Sequence, residues 1–275
     1  MSTSQKLIKY LAIAFAIFLV VSIISGIVMG VLAFTNIFVN DDTEEIKYIA
    51  DYEDVFDINE VKNLDIELDI AKLNIVKSDK LGILAYNLIE DFDCEVKNGT
   101  LKILEDINMN RKVFNTEKTP YITLYIPEDF KFENVNIKSG VGNIDVEKID
   151  ANKLEVTFGA GNFEAENITV NETDFNGGVG ELKITNSNLG ILNFKAGVGE
   201  TEIESTLSDS SKIECGVGNV TLSLLGEKEE YCFDIETGLG NISLDGEKVK
   251  NGTFGNKEAK SVNVKGGIGN IKIKF

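Results

Sequence analysis

The residues best suited to chemistry are few. Cys94, Cys215 and Cys232 form no CxxC pair, and the chain has no histidine. It therefore lacks the commonest general base and the commonest neutral metal ligand. Three widely spaced cysteines indicate neither a zinc site nor a complete disulfide framework. They read as small buried hydrophobes, and a Cys215–Cys232 bridge requires the fold to bring their Cα atoms within roughly 4.4–6.8 Å. Some parallel β-helices cleave acidic polysaccharides with carboxylates and cations on one sheet. Here the 45 acidic residues include no pair set apart from the general acidity, Arg111 is the single arginine, and an acidic chain repels an acidic substrate. No catalytic, cofactor-binding or metal-ligating residue is expected, and the chain is read as not an enzyme.

The remaining motif with a chemical look is Gly-x-Gly. It begins at Gly140-Val141-Gly142-Asn143 and recurs as Gly159-Ala160-Gly161-Asn162, Gly178-Val179-Gly180-Glu181, Gly197-Val198-Gly199-Glu200, Gly216-Val217-Gly218-Asn219, Gly238-Leu239-Gly240-Asn241 and Gly267-Ile268-Gly269-Asn270. A phosphate cradle would need a third glycine opening a helix, whereas a strand pattern follows each copy. Gly177-Gly178-Val179-Gly180 is close to the calcium-binding GGxGxD repeat, but lacks its Asp and has about twice its period. These fourteen glycines are expected to be structural.

Their spacing carries the fold. Successive copies start 19, 19, 19, 19, 22 and 29 residues apart, which is a repeat architecture whose last two coils carry insertions. Within a coil, Leu154, Val156, Phe158 and Ala160 alternate inward with Glu155 and Thr157 outward. The phase breaks at Gly142-Asn143 and resumes with Ile144 and Val146, as with Leu182 and Ile184, Val220 and Leu222, Ile242 and Leu244, and Ile271 and Ile273. The chain is predicted to turn a corner at that dipeptide. Stacking the coils buries the columns as one core. The expectation is an all-β parallel β-solenoid of about 19-residue coils with Gly-x-Gly corners, regular over 140–275. Glycine suits a bend where neighbouring coils come close.

Upstream, Leu64–Leu68 and Leu73–Val76 alternate, and Ile70-Ala71-Lys72-Leu73 stands where a degenerate Val-Gly-Asn-Ile would. Asn98-Gly99 is a two-residue hairpin signal, and Tyr121–Ile126 is a strand stopped by Pro127. Residues 40–60, acidic with scattered aromatics, read as a stalk or a short helix.

The N-terminus points to a membrane. Tyr10–Val39 holds no charged residue and reaches about 45 Å as a helix, enough to span a bilayer. Lys6 and Lys9 precede it and Asp41, Asp42, Glu44 and Glu45 follow, which places residues 1–9 in the cytoplasm and the rest outside. The competing reading is a cleavable signal peptide; this run is longer than its usual apolar region, and Val31-Leu32-Ala33-Phe34 is a poor cleavage site. Gly26 and Gly30 form a G-x-x-x-G pair of the kind that packs helices. Beyond residue 40, 25 Lys and Arg face 45 acids, a net −20, which argues against nucleic acid as a partner.

Residues 61–275 resemble the bacterial adhesin-like domain family, named for a proposed adhesive role. The resemblance is carried by Leu73-Asn74-Ile75-Val76-Lys77-Ser78-Asp79, Val96-Lys97-Asn98-Gly99-Thr100-Leu101-Lys102-Ile103, and Ile122–Pro127 running into Val135–Gly142. It implies a β-solenoid with no catalytic residues to carry over; Glu181 and Glu200 depart from the Asn or Asp expected at that corner. On the residues, the expected function is a non-enzymatic binding or adhesion scaffold. The row Thr157, Asn176, Lys195 and Glu214 would face a glycan, wall polymer or protein. The alternative is an accessory regulator of an envelope-stress or membrane signalling system, acting through a membrane-protein partner.

Overall fold

The computed structural model describes residues 49–88, 91–106 and 119–275. The expected span Tyr10–Val39 with Lys6 and Lys9, and Arg111, lie outside the described residues. Among the described residues no helix is long and apolar enough to cross a membrane.

The described residues are almost entirely β, with 22 strands among them in one hydrogen-bonded sheet. Strands Ile149–Glu166 and Glu172–Asn188 pair in parallel, Leu154 with Thr173 and Phe163 with Leu182, so each residue lies beside the one 19 places on. The same offset joins Glu172–Asn188 to Ile191–Val198 and Thr201–Thr206, and these to Ser211–Val217 and Val220–Leu224. Each coil thus has a front limb before its Gly-x-Gly and a back limb after it, a solenoid-like stack.

The core is what the alternation dictates. On the front limbs Leu154, Val156, Phe175, Leu192, Phe194 and Ile213 point inward; on the back limbs Ile144, Val146, Leu182, Ile184, Val220, Leu222, Ile242, Leu244, Ile271 and Ile273 do the same, all of them buried. Phe158, Phe163, Phe175 and Phe194 form a ladder with ring centroids 5.0–6.4 Å apart. Inward hydroxyls serve the backbone: Ser187 and Ser211 accept from the N–H groups of Ile168 and Leu192, so their burial leaves no orphan.

The glycine corner is the tightest contact in the stack. A Cβ on Gly159 would lie 2.4 Å from the Gly140 carbonyl oxygen, and one on Gly161 1.7 Å from that of Gly142. Gly161 and Gly180 also have φ of +138° and +148°, which other residues rarely adopt. The other repeat glycines superpose in the same two columns, Gly178 and Gly180 on Gly159 and Gly161, Gly197 and Gly199 on those, Gly216 and Gly218 next. Upstream, Ile70 pairs with Val141 and Leu73 with Ile144, so Ala71 occupies the degenerate corner as expected. Its methyl is buried without exposure, and its coil is flanked on the far side by Thr100–Glu105 and Tyr121–Pro127.

Two expectations need correction, and one point of topology lies outside what the sequence implies. The middle residue of Gly-x-Gly, expected to point inward with Ala160 as the example, does not: Val141 is 51% exposed, Val179 55%, Leu239 47% and Ile268 39%, and Ala160 is only half-buried. Inward alternation ends one residue before the first glycine, and the second glycine takes a positive φ, +138° at Gly161 and +148° at Gly180.

The last two coils are also not stacked in chain order. Lys260–Ile268 pairs with Ser211–Val217 on one side and Tyr231–Leu239 on the other, so Gly267 and Gly269 sit against Gly216 and Gly218, and Gly238 and Gly240 against Gly267 and Gly269. The N-terminal end mirrors this, with Asn63–Ile70 between Thr100–Glu105 and Phe132–Val141. The displaced coils carry antiparallel strands that close the stack: Phe92–Lys97, through the Asn98-Gly99 hairpin read in the sequence, and Glu247–Val249 with Gly252–Gly255. Charges on Asp93, Glu95 and Lys97 protect that edge.

Of residues 40–60, Tyr52–Val55 is neither stalk nor helix but an antiparallel edge strand on Gly82–Tyr86.

Gly180→Val places its side chain in the Gly161 carbonyl and should cost about 3 kcal/mol or more, whereas Ala71→Gly, which only removes a buried methyl and frees the backbone, should cost about 1 kcal/mol. Thermal melting followed by far-UV circular dichroism checks both; equal melting of Gly180→Val and wild type would contradict the corner geometry.

Candidate binding face

Because inward positions are spent on the core, the alternate positions of the front limbs form continuous rows. Lys138, Thr157, Asn176, Lys195 and Glu214 are consecutive register partners, so the row expected in the sequence is assembled as Thr157, Asn176, Lys195, Glu214. Lys265 and Glu236 extend it. Two residues earlier along each strand runs a second row: Asn136, Glu155, Asp174, Asn193 and Lys212. Together the rows line a groove of about 570 Å³.

Its charges are partly spoken for. Lys153 Nζ lies 2.6 Å from Glu155, 3.2 Å from Asp174 and 3.5 Å from Glu172, and hydrogen bonds to Glu155 and Asp174 raise its pKa. Two groove carboxylates are thereby held by one cation. Lys138, Lys195 and Lys212 make no ion pair within 4.0 Å among the described residues. The groove offers ammonium groups without an ion pair, amides, a hydroxyl and the carboxylates of Glu155, Asp174 and Glu214. Lys153 is the member that the sequence reading missed; its outward register beside Glu172 was the available signal.

The repeat glycines line the corner and not this groove. The N–H groups of Gly142, Gly199, Gly218 and Gly269 donate to carbonyls of the next coil at 2.8–3.0 Å, so they have nothing left for a phosphate. The column after them is a polar ladder: Asn162 N–H donates to Asn143 Oδ1, Asn219 Nδ2 to Glu200 Oε1, and Asn270 and Asn241 continue it. Glu200 fits the ladder as an acceptor.

The cysteines are placed for packing. All three are free. Cys215 pairs with Gly266, whose further partner is Thr237, while Cys232 lies at the other end of that outer strand. Burial pushes the thiols of Cys94 up to about 12 and Cys215 up to about 11, which suppresses the nucleophilic thiolate at neutral pH. Among the described residues no group of three or more His, Cys, Asp or Glu could hold a metal ion.

One buried acid stands apart. Glu105 occupies an inward position at 1% exposure, and its Oε2 accepts from the N–H groups of Asp69 and Ile70 while Oε1 has no partner among the described residues. Burial, helped by Asp69 and Asp106, pushes its carboxyl up to about 7 despite those hydrogen bonds.

An all-β stack with a polar outer face and spent corner amides belongs to the class of repeat scaffolds. More specifically, the chain belongs to the Toastrack DUF4097 family, which matches residues 61–254, in keeping with the adhesin-like resemblance of the sequence. No curated protein matches it. Similar solved structures include a proposed cell adhesion protein from Clostridium sporogenes, at 18% identity over 82% of this chain and 98% of that one, TM-score 0.38. A proposed adhesin from Bacteroides fragilis matches at 16% over 82% and 97%, TM-score 0.34. A proposed lipid binding protein from Parabacteroides distasonis matches at 15% over 84% and 99%, TM-score 0.38.

Because the folded state holds the Glu105 proton more tightly than the unfolded chain, its contribution to stability is present below about 4.5 and lost as pH rises through about 7. Glu105→Gln should therefore gain on wild type over that window by on the order of 2 kcal/mol. Urea melts at pH 4.5 and 7.5 measure the difference; a gap that does not widen with pH would contradict it.

Proposed function

We propose that the chain is a non-enzymatic binding scaffold, anchored by Tyr10–Val39 as a single-pass span with Lys6 and Lys9 in the cytoplasm and the stacked domain at the bacterial cell surface. The observation that carries the reading is the front groove, where Lys138, Thr157, Asn176 and Lys195 repeat at the spacing of neighbouring strands, about 4.8 Å. A ladder of like-spaced polar groups suits an extended, hydroxyl-rich ligand such as a glycan or wall polymer. Each ligand unit then meets a similar contact, and weak contacts add along the stack. The repeat glycines serve this face indirectly, by letting the coils stack closely enough to form it. The elevated thiols, the absence of histidine and the pairing of Glu155 and Asp174 with Lys153 all count against catalysis.

Retention of the full-length protein on purified wall glycans tests the reading. The double variant Lys138→Ala, Asn176→Ala should bind at least about tenfold more weakly, a loss of about 1.4 kcal/mol, with its melting unchanged. Unchanged retention would contradict the groove as the site. Crosslinking in cells that recovers one defined membrane protein would favour the regulatory alternative, and release of reducing sugars would favour an enzyme.

A further inference from the structure

The C-terminal half of the front face carries an alternating charge pattern, of which Lys265 and Glu236 also pair with each other within one copy at 3.6 Å. Across four neighbouring coils the outward row reads Lys195, Glu214, Lys265, Glu236 in register order, so the signs alternate and their number is even. A second copy laid face to face about a two-fold axis running along the strands, between Glu214 and Lys265, meets this row reversed. Lys195 then faces Glu236 of the other copy, and Glu214 faces Lys265, with no like charges opposed.

The adjacent rows obey the same symmetry. Lys212 meets Asn263 and Asp234 meets Asn193, which opposes charge to amide throughout. Towards the corner, Cys215 meets Gly266, and these two with Ala196, Gly216 and Gly267 floor a shallow depression of about 440 Å³ between the charged row and the bend. An axis along the stack would instead set Lys on Lys and Glu on Glu, so the charge order selects one antiparallel arrangement.

From this self-complementarity we infer that the patch is the interface of a homodimer. Charge complementarity names the occupant: a partner must present minus, plus, minus, plus at strand spacing, and the same face of this chain does so. The net −20 beyond residue 40 works against association at long range, but at physiological salt it is screened beyond about 8 Å while contacting pairs are not. The patch is on the order of 300 Å², four coils by a few residues, below the roughly 800 Å² per partner of a stable complex. Pairing is therefore weak and concentration-dependent. It covers Lys195 and Glu214 at one end of the groove, so it stands apart from the ligand reading and competes with ligand only there.

Zero-length carbodiimide crosslinking of the full-length protein at increasing concentration, followed by peptide mass spectrometry, tests it. Lys195 and Glu236 are three strand spacings apart within one copy, about 14 Å, too far for a direct amide bond, so a Lys195–Glu236 linkage reports a second copy. The expected result is that linkage in a dimer band, a fall of about tenfold in Lys195→Glu, and recovery in Lys195→Glu, Glu236→Lys, where each new pair is again opposite in sign. Absence of the linkage at all concentrations, a dimer indifferent to Lys195→Glu, or a double variant that stays monomeric would overturn the inference; because Lys195 also borders the groove, the ligand reading is tested separately with Lys138→Ala, Asn176→Ala, which leaves the four charges of the patch in place.

Discussion

Everything in the domain follows from how closely two glycine backbones can pass. At the corner, the carbonyl of one coil occupies the space where a side chain of the next would be, as the 1.7 Å separation between a hypothetical Gly180 Cβ and the Gly161 oxygen makes plain. That approach lets the second-glycine N–H groups reach the carbonyls of the neighbouring coil, and it fixes the 19-residue offset. Once the offset is fixed, the alternation of two places the same positions of every coil in the same columns. The core, the polar rows and the Asn ladder are consequences of that one register.

The constraint has a direction, which explains an asymmetry between the two ends. Each added Cβ would point to the coil on the N-terminal side of the stack, as Gly238 does towards Gly267. The outermost C-terminal coil is therefore as bound to glycine as the middle ones. Ala71 is the exception in the column: its methyl is fully buried, while its own carbonyl presses on Gly142 of the next coil as the glycine carbonyls do on theirs.

Much of this was legible in the sequence because a repeat writes its register into the chain. The period, the inward columns, the Asn98-Gly99 hairpin, the Ala71 corner and the row Thr157, Asn176, Lys195, Glu214 all follow from spacing and alternation. What was not legible depends on non-local choices. Gly267 and Gly269 follow Gly238 and Gly240 in the chain but precede them in the stack, and no local propensity encodes which coil slips between which. The outward turn of Val141, Val179, Leu239 and Ile268 was hidden for another reason: aliphatic residues in phase with a core strand read as core until the bend is located to the residue. The groove was legible as a row but not as an electrostatic object, since the capture of Glu155 and Asp174 by Lys153 requires knowing the register on both sides of it.

The most direct measurement of the stacking order is the pattern of interstrand proton contacts at the corners, read by nuclear Overhauser effects on glycine-labelled protein. Gly-on-Gly packing in the order described requires contacts between Gly218 and Gly269 and between Gly269 and Gly240. Contacts between Gly218 and Gly240, with none from Gly218 to Gly269, would mean that the coils stack in chain order and would contradict the architecture described above.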